Sequence, residues 1–269
     1  MKRTEERIAA LYDEALSAEK AGRTEAAGAA YRTLLDLDPE DHVGAAVRLA
    51  ALGQGPVPER APEAYVATLF DQHAEAFDDI LVEQLGYAVP MLLRERIDAL
   101  GLGPFARVLD LGCGTGLAGA SLRDRAEHLT GIDLAETMVM MADRTGAYHD
   151  LYVGEAVAFL EEGPGEPWDL IVATDTLPYL GDLAPFLAGA AARMAPKGVL
   201  ALSSETLGAE AFGGQGWTVG PRHRFAHARS YLTEALSAAG FSVIEMEPIT
   251  VRAEEDSPVP GFLILARAP

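Results

Sequence analysis

The sequence predicts an α/β protein: a mostly parallel sheet with helices on both faces, preceded by an all-helical block. Three observations carry this. From Arg107 onward, apolar runs of strand length alternate with stretches of helical spacing. The last two apolar runs are separated only by AEEDSPVP, too little for a crossover helix, so they form an antiparallel pair. Before Leu52 the spacing is helical throughout.

The chain has 269 residues, 49% of them apolar and 23% charged, enough for a sizeable core. Its net charge of −20 argues against nucleic acid and anionic membranes as partners. A single cysteine, Cys113, excludes a disulfide within the chain, and no His/Cys/Asp cluster has metal-ligand spacing. The N-terminus has no apolar core of a secretory signal and no run reaches membrane-spanning length, so a cytoplasmic protein is expected.

The first helix carries Ile8, Leu11, Ala15 and Leu16 on one face and ends at Gly22. The second opens with Thr24 as N-cap and is stopped by Pro39. A third begins in EDHVGAAVRLAAL. Small Ala15 and Ala27, bulky Tyr31 and the Asp38-Pro39 end resemble a tetratricopeptide unit, although Leu34 stands where a small residue is usual. One and a half such units cannot stand alone, so the block is expected to dock on the rest or on a second copy. GQGPVPERAP, residues 53–62, reads as a linker. In the helical stretch that follows, Tyr65, Leu69, His73 and Phe77 recur at i, i+4, which serves either a core face or a lid over a ligand. A helix from Pro90 ends at Gly101. The expected organisation is a helical block over 1–55, a linker and lid over 56–100, and the sheet domain over 101–269.

Strands follow at RVLDLG, HLTGIDL, a short one within AYHDLYVGEA, then WDLIVATD, KGVLALSSE, FSVIEMEPITVR and PGFLILAR. Helices are expected at about 117–126, 135–144, 183–194 and 231–239, the last capped by Ser230 and closed by Gly240.

The chemistry concentrates at VLDLGCGTGLAG. A dinucleotide fingerprint starting at Gly112 fails, because its sixth position is Leu117; one starting at Gly114 begins too late in the turn. Asp110 precedes the glycines, and a diphosphate there would meet its charge. A ligand that is cationic near this turn fits instead, and S-adenosylmethionine, with its sulfonium and ammonium, is such a ligand. Gly112 and Gly114 allow close backbone approach, Asp110 favours the ammonium, and Asp133, seventeen positions beyond Gly116, can accept from both ribose hydroxyls.

LDLGCGTG closely resembles the first motif of the class I S-adenosylmethionine-dependent methyltransferases, a likeness that extends over roughly 107–267. The resemblance implies a Rossmann-like, seven-stranded sheet with the last strand inserted antiparallel. It implies a cofactor site of Asp110, Gly112, Cys113, Gly114 and Asp133, with Leu134 and Met138 beside the adenine and Glu155 and the Ala156 amide at its edge. Asp175 and Thr176 fall at the methyl-donor end, and S-adenosylhomocysteine is the implied product. With its helical block the whole chain is similar to bacterial tetratricopeptide-repeat methyltransferases.

Methyl transfer needs alignment, water exclusion and at times a base. Candidate acceptor-side residues are Asp175, Tyr179, His223 and His227. Arg222, His223, Arg224, His227 and Arg229 form a basic cluster, read either as a clamp for an anionic small-molecule acceptor or as a surface loop balancing nearby acids. No metal is expected. A second reading makes the helical block a recruiter of a protein partner or of a second copy; a third, weaker one is a nicotinamide-dependent oxidoreductase.

Overall fold

The computed structural model describes residues 2–73, 85–163, 165–254 and 257–269. Phe77 lies outside the described residues, as does the side chain of His73. The helices are α1 (Lys2–Lys20), α2 (Thr24–Leu37), α3 (Ala45–Ala51), α4 (Glu63–His73), α5 (Val89–Ala99), α6 (Leu117–Leu122), α7 (Glu136–Arg144), α8 (Ala156–Glu162), α9 (Ala184–Arg193) and α10 (Arg229–Ala238). The strands are β1 (Phe105–Leu111), β2 (Ala126–Asp133), β3 (Asp150–Val153), β4 (Trp168–Ala173), β5 (Met194–Glu205), β6 (Trp217–Val219), β7 (Phe225–His227), β8 (Ser242–Glu254) and β9 (Ser257–Arg267).

Seven strands form one sheet in the order β3-β2-β1-β4-β5-β9-β8. β1 to β5 run parallel, and β9 lies antiparallel between β5 and β8. The alternation of side chains splits the core in two. Leu109, Leu111, Ile171 and Ala173 pack under α8, α9 and α10, whereas Val108, Leu170 and Val172 pack under α5 and α6. The sheet order reverses at β1 and β4. A crevice therefore opens beyond their carboxyl ends, where the two following loops diverge.

Helix ends follow the glycine signals: Gly22, Gly101 and Gly240 have φ of +68°, +61° and +86° just beyond α1, α5 and α10. Thr24 and Ser230 are not N-caps. Each lies inside its helix, behind Arg23 and Ala228, neither of which makes a side-chain cap. Two elements had no clear sequence signal: α8 and the β6–β7 ribbon, which forms within GWTVGPRHRFAHAR.

The N-terminal helices have their own core of Ala15, Ala18, Ala27, Tyr31 and Leu34. They dock on the rest of the chain, since Val47 of α3 shares a cluster with Ala61, Val219 and Phe225. A polar contact accompanies it: Glu19 accepts from Tyr31 Oη at 2.5 Å and pairs with Arg48 at 3.2 Å and His223 at 2.9 Å.

Candidate active site

The loop after β1 is tied to the end of β2. The Gly112 and Cys113 amides both donate to the Ile132 carbonyl, at 2.8 and 2.9 Å. The Gly114 amide donates to Asp133 Oδ2 and the Ala135 amide to Oδ1, each at 2.9 Å. Gly112, Gly114 and Gly116 have φ of +70°, +54° and +97°, the left-handed region that only glycine enters cheaply. A Cβ on Gly112 would lie 2.5 Å from Thr176 Oγ1, whereas one on Gly114 would meet only open space. Thr176 in turn donates to the Leu111 carbonyl at 2.8 Å, closing the β4 loop over the β1 loop.

These loops form the floor of an apolar-walled cavity. Gly112, Cys113, Gly114, Asp133, Leu134, Glu155, Ala156, Asp175, Thr176 and Tyr179 all line it. Asp133 is 9% exposed and uses one acceptor direction of each oxygen on backbone amides, leaving further lone pairs for a ligand. Glu155 caps α8 through the Ala158 amide at 2.8 Å and stands 4.0 Å from Arg60.

Four predicted residues stand elsewhere. Asp110 lies behind the loop, 1% exposed. Its Oδ2 accepts from Tyr148 Oη at 2.6 Å, and its Oδ1 has no partner among the described residues. Burial, then the charge of Asp133, pushes its carboxyl up to about 7, against the bonds from Tyr148 and the Gly119 amide. Met138 is fully buried and packs with Ala135, Phe70 and Met141; Leu134 alone of that pair reaches the cavity wall. His227 is fully buried in β7 between Ser204 Oγ at 2.9 Å and the Leu180 carbonyl at 2.8 Å, with its pKa lowered by burial to about 4. His223 faces Glu19 of α1. Neither histidine lines the cavity, so neither is placed to deprotonate an acceptor there.

The basic cluster also disperses. Arg222 pairs with Glu254, and Arg229 bonds the Met246 carbonyl and lies over Phe262. Arg224 pairs with Asp175 at 2.5 Å and Glu205 at 2.6 Å, and donates to Tyr179 Oη at 2.6 Å. These side chains form no clamp on the cavity: Arg222 and Arg224 neutralise the protein's own carboxylates, and Arg229 is held by a carbonyl and a ring. Cys113 is 5% exposed and its thiol is raised well above its ordinary value by burial, then by Asp110 and Asp133, which disfavours thiolate chemistry.

Several wall residues escaped sequence reasoning: Arg60, Val66, Phe70, Tyr87 and Pro90. α4 faces the cavity through Val66 and Phe70, whereas Tyr65 packs against Gly44. A second i, i+4 pair one residue along was the available signal. Arg60 is the one cation on the wall among the described residues, and it pairs with Glu63 at 3.4 Å.

The family model described as "Methyltransferase domain" matches residues 85–246, more than half of the chain. A ubiquinone biosynthesis O-methyltransferase from Maricaulis maris is 28% identical over 61% of this chain and 72% of its own length. One from Xylella fastidiosa is 32% identical over 37% of this chain, which spans 42% of that relative. Among solved structures, magnesium protoporphyrin IX methyltransferase from Synechocystis PCC 6803, with bound S-adenosylhomocysteine, superposes with a TM-score of 0.52 at 18% identity, covering 67% of this chain and 82% of that one. At that identity the likeness speaks for the fold. With the family match over the β1 loop and the crevice it floors, the chain belongs to the S-adenosylmethionine-dependent methyltransferases.

Proposed function

We propose that this protein moves the methyl group of S-adenosylmethionine to a small, largely apolar acceptor, with an oxygen as the methylated atom. The observation that carries the cofactor reading is the buried, half-partnered carboxylate of Asp110 behind a glycine loop whose cavity has, among the described residues, one already paired cation. A diphosphate would meet negative charge there and, among the described residues, no free arginine or lysine; an ammonium and a sulfonium meet complementary charge. Open space above Gly114 and the remaining lone pairs of Asp133 suit a ribose-bearing ligand. The oxygen acceptor is supported by the names of the O-methyltransferase relatives.

In this reading Asp133 binds the ribose hydroxyls, Leu134 and Ala156 flank the adenine, and Glu155 accepts from its amino group while capping α8. Bound S-adenosylmethionine supplies an electrophilic methyl group. Asp175 and Tyr179 stand at the acceptor end, and Phe70 and Tyr87 exclude water from it. The domain limits at about residues 55 and 100 belong to the same reading. So does a tetratricopeptide-like α1–α2 pair, supported by fully buried Ala15, Ala27 and Tyr31 at the helix interface. A cytoplasmic place is supported by the acidic charge and the lone cysteine; no helix among the described residues is long and apolar enough to cross a membrane.

Calorimetry with S-adenosylmethionine tests the proposal: the parent binds, and Asp133→Ala loses most of the affinity. A parent that binds NADH but not S-adenosylmethionine ends it. A second reading, that the helical block recruits a protein partner, has less room, because α3 is already committed to β6 and β7.

A further inference from the structure

Asp175 and Tyr179 share one guanidinium. Arg224 donates through one terminal nitrogen to Asp175 Oδ1 at 2.5 Å and through the other to Tyr179 Oη at 2.6 Å, while its Nε donates to Glu205 at 2.6 Å. Glu205 is itself held by Arg252 at 2.7 Å, and Arg252 is 3% exposed. Arginine only donates, so the phenolic oxygen of Tyr179 is used as an acceptor and its proton must point elsewhere. Among the described residues Tyr179 donates to none, and it lines the cavity together with Asp175. Asp175 is itself held in a left-handed backbone conformation, φ +62°, with its amide donating to Ser203 Oγ at 2.8 Å, so the backbone that presents its carboxylate to Arg224 is fixed.

We propose that Arg224 is a positioning residue that fixes Tyr179 as a proton donor and Asp175 as a proton acceptor for one uncharged hydroxyl group of the methyl acceptor. This rests on the reading that the two residues stand at the acceptor end. A hydroxyl can satisfy both at once, because it carries a proton for Asp175 and a lone pair for Tyr179; a carboxylate cannot, because it has no proton to give. Charge selects in the same direction. Asp175, Glu205 and Glu254 are matched by Arg224, Arg252 and Arg222, so the cluster has no spare cation for an anionic acceptor. In the transfer, the hydroxyl oxygen forms the new O–C bond as the donor's S–C bond breaks, its electron pair stays on sulfur, and the hydroxyl proton passes to Asp175. The lysine side chain cannot reproduce the fork, since it offers one point of charge in place of three directed donors.

The experiment uses the full chain saturated with S-adenosylhomocysteine and two fluorescent probes of equal ring size, 2-naphthol and 2-naphthoate. The parent is expected to bind 2-naphthol at least about tenfold more tightly than 2-naphthoate, and Tyr179→Phe and Arg224→Lys to narrow that ratio below about threefold. Their S-adenosylhomocysteine affinity is expected to stay within about twofold of the parent, as is that of the surface variant Arg96→Gln, which keeps the full ratio. If Arg224→Lys does not fold, Glu205→Gln tests the same fork by loosening its anchor and is expected to narrow the ratio. A parent that binds S-adenosylhomocysteine but prefers 2-naphthoate, or binds neither probe, overturns the proposal; so does a ratio that none of the variants moves. A parent that binds no S-adenosylhomocysteine overturns the methyl-donor reading beneath it, which separates the two failures.

Discussion

Tyr148 donates its phenolic proton to Asp110 Oδ2 at 2.6 Å, beneath the loop proposed to hold the cofactor's amino-acid end. Asp110 is otherwise buried, and its carboxyl is raised to about 7, with burial as the main cause and the charge of Asp133 adding to it. A cationic ligand favours the ionised form, so below neutrality binding must also release a proton. S-Adenosylhomocysteine affinity is therefore expected to rise between about pH 5.5 and about pH 8.5. Tyr148→Phe removes a bond to the charged form and moves that rise to higher pH; Asp110→Asn abolishes it and weakens binding throughout. Calorimetry across this range checks both, and a flat affinity in the parent refutes the role given to Asp110.

Gly112 and Gly114 separate folding from binding within one loop. Both have positive φ, so alanine at either position costs about 1–2 kcal/mol of backbone strain. At Gly112 the new Cβ also collides with Thr176 Oγ1, whose bond to Leu111 holds the two loops together. Gly112→Ala is expected to lower the melting temperature clearly. Gly114→Ala projects into the cavity and meets nothing in the protein, so it is expected to lose S-adenosylhomocysteine affinity with a smaller thermal shift. Thermal melts and calorimetry on the two variants make the comparison.

The sheet and the glycine loop were legible in the sequence for related reasons. β1, β4 and β5 are covered on both faces, so their apolar runs are nearly unbroken, and the loop's three glycines mark conformations other residues avoid. Charge was legible only as charge. Arg222, His223 and Arg224 are adjacent, yet they answer to Glu254, Glu19 and Asp175, on three elements far apart in the chain. Composition gives no warning of such pairing, so a run of cations looked available when it was spent. Tyr148 was invisible for a packing reason. Its ring fits because Gly119 and Gly131 lack side chains: their Cβ atoms would fall 2.4 Å from its Oη and 2.7 Å from its Cε1. Nothing local to Tyr148 announces that space.

The helical block meets the cavity's supporting ribbon through Glu19. Burial alone would raise this carboxyl, but the Tyr31 bond, Arg48 and His223 together hold it below its ordinary value. Glu19→Ala leaves the guanidinium of Arg48, 12% exposed, without its carboxylate, and is expected to cost about 1–3 kcal/mol. The cost is read as a lower urea midpoint. Because His223 is adjacent to Arg224, the same variant is expected to weaken 2-naphthol binding while S-adenosylhomocysteine affinity holds. An unchanged midpoint removes the block from the account of the acceptor end.

Asp110 and His227 pull the pH dependence of stability in opposite directions. The Asp110 carboxyl is raised from 3.8 to about 7, so between these values the native state holds a proton that the unfolded chain releases. Its contribution therefore falls as pH rises through that window. His227 is lowered from 6.5 to about 4, because burial disfavours the imidazolium by more than the bond to the Leu180 carbonyl favours it. Between these values the unfolded chain binds a proton that the native state does not, so its contribution rises with pH and is lost as pH falls from 6.5 towards 4. In the parent the two slopes offset each other from about pH 4 to about pH 6.5. Asp110→Asn deletes the falling one, so its stability is expected to climb with pH across that range more steeply than the parent's, and to exceed it most above pH 7. Urea midpoints of the ligand-free proteins at stepped pH measure the difference directly. A parent and a variant with parallel curves would mean that Asp110 is ionised in the native state throughout, and the proton it is assigned here would have to be withdrawn.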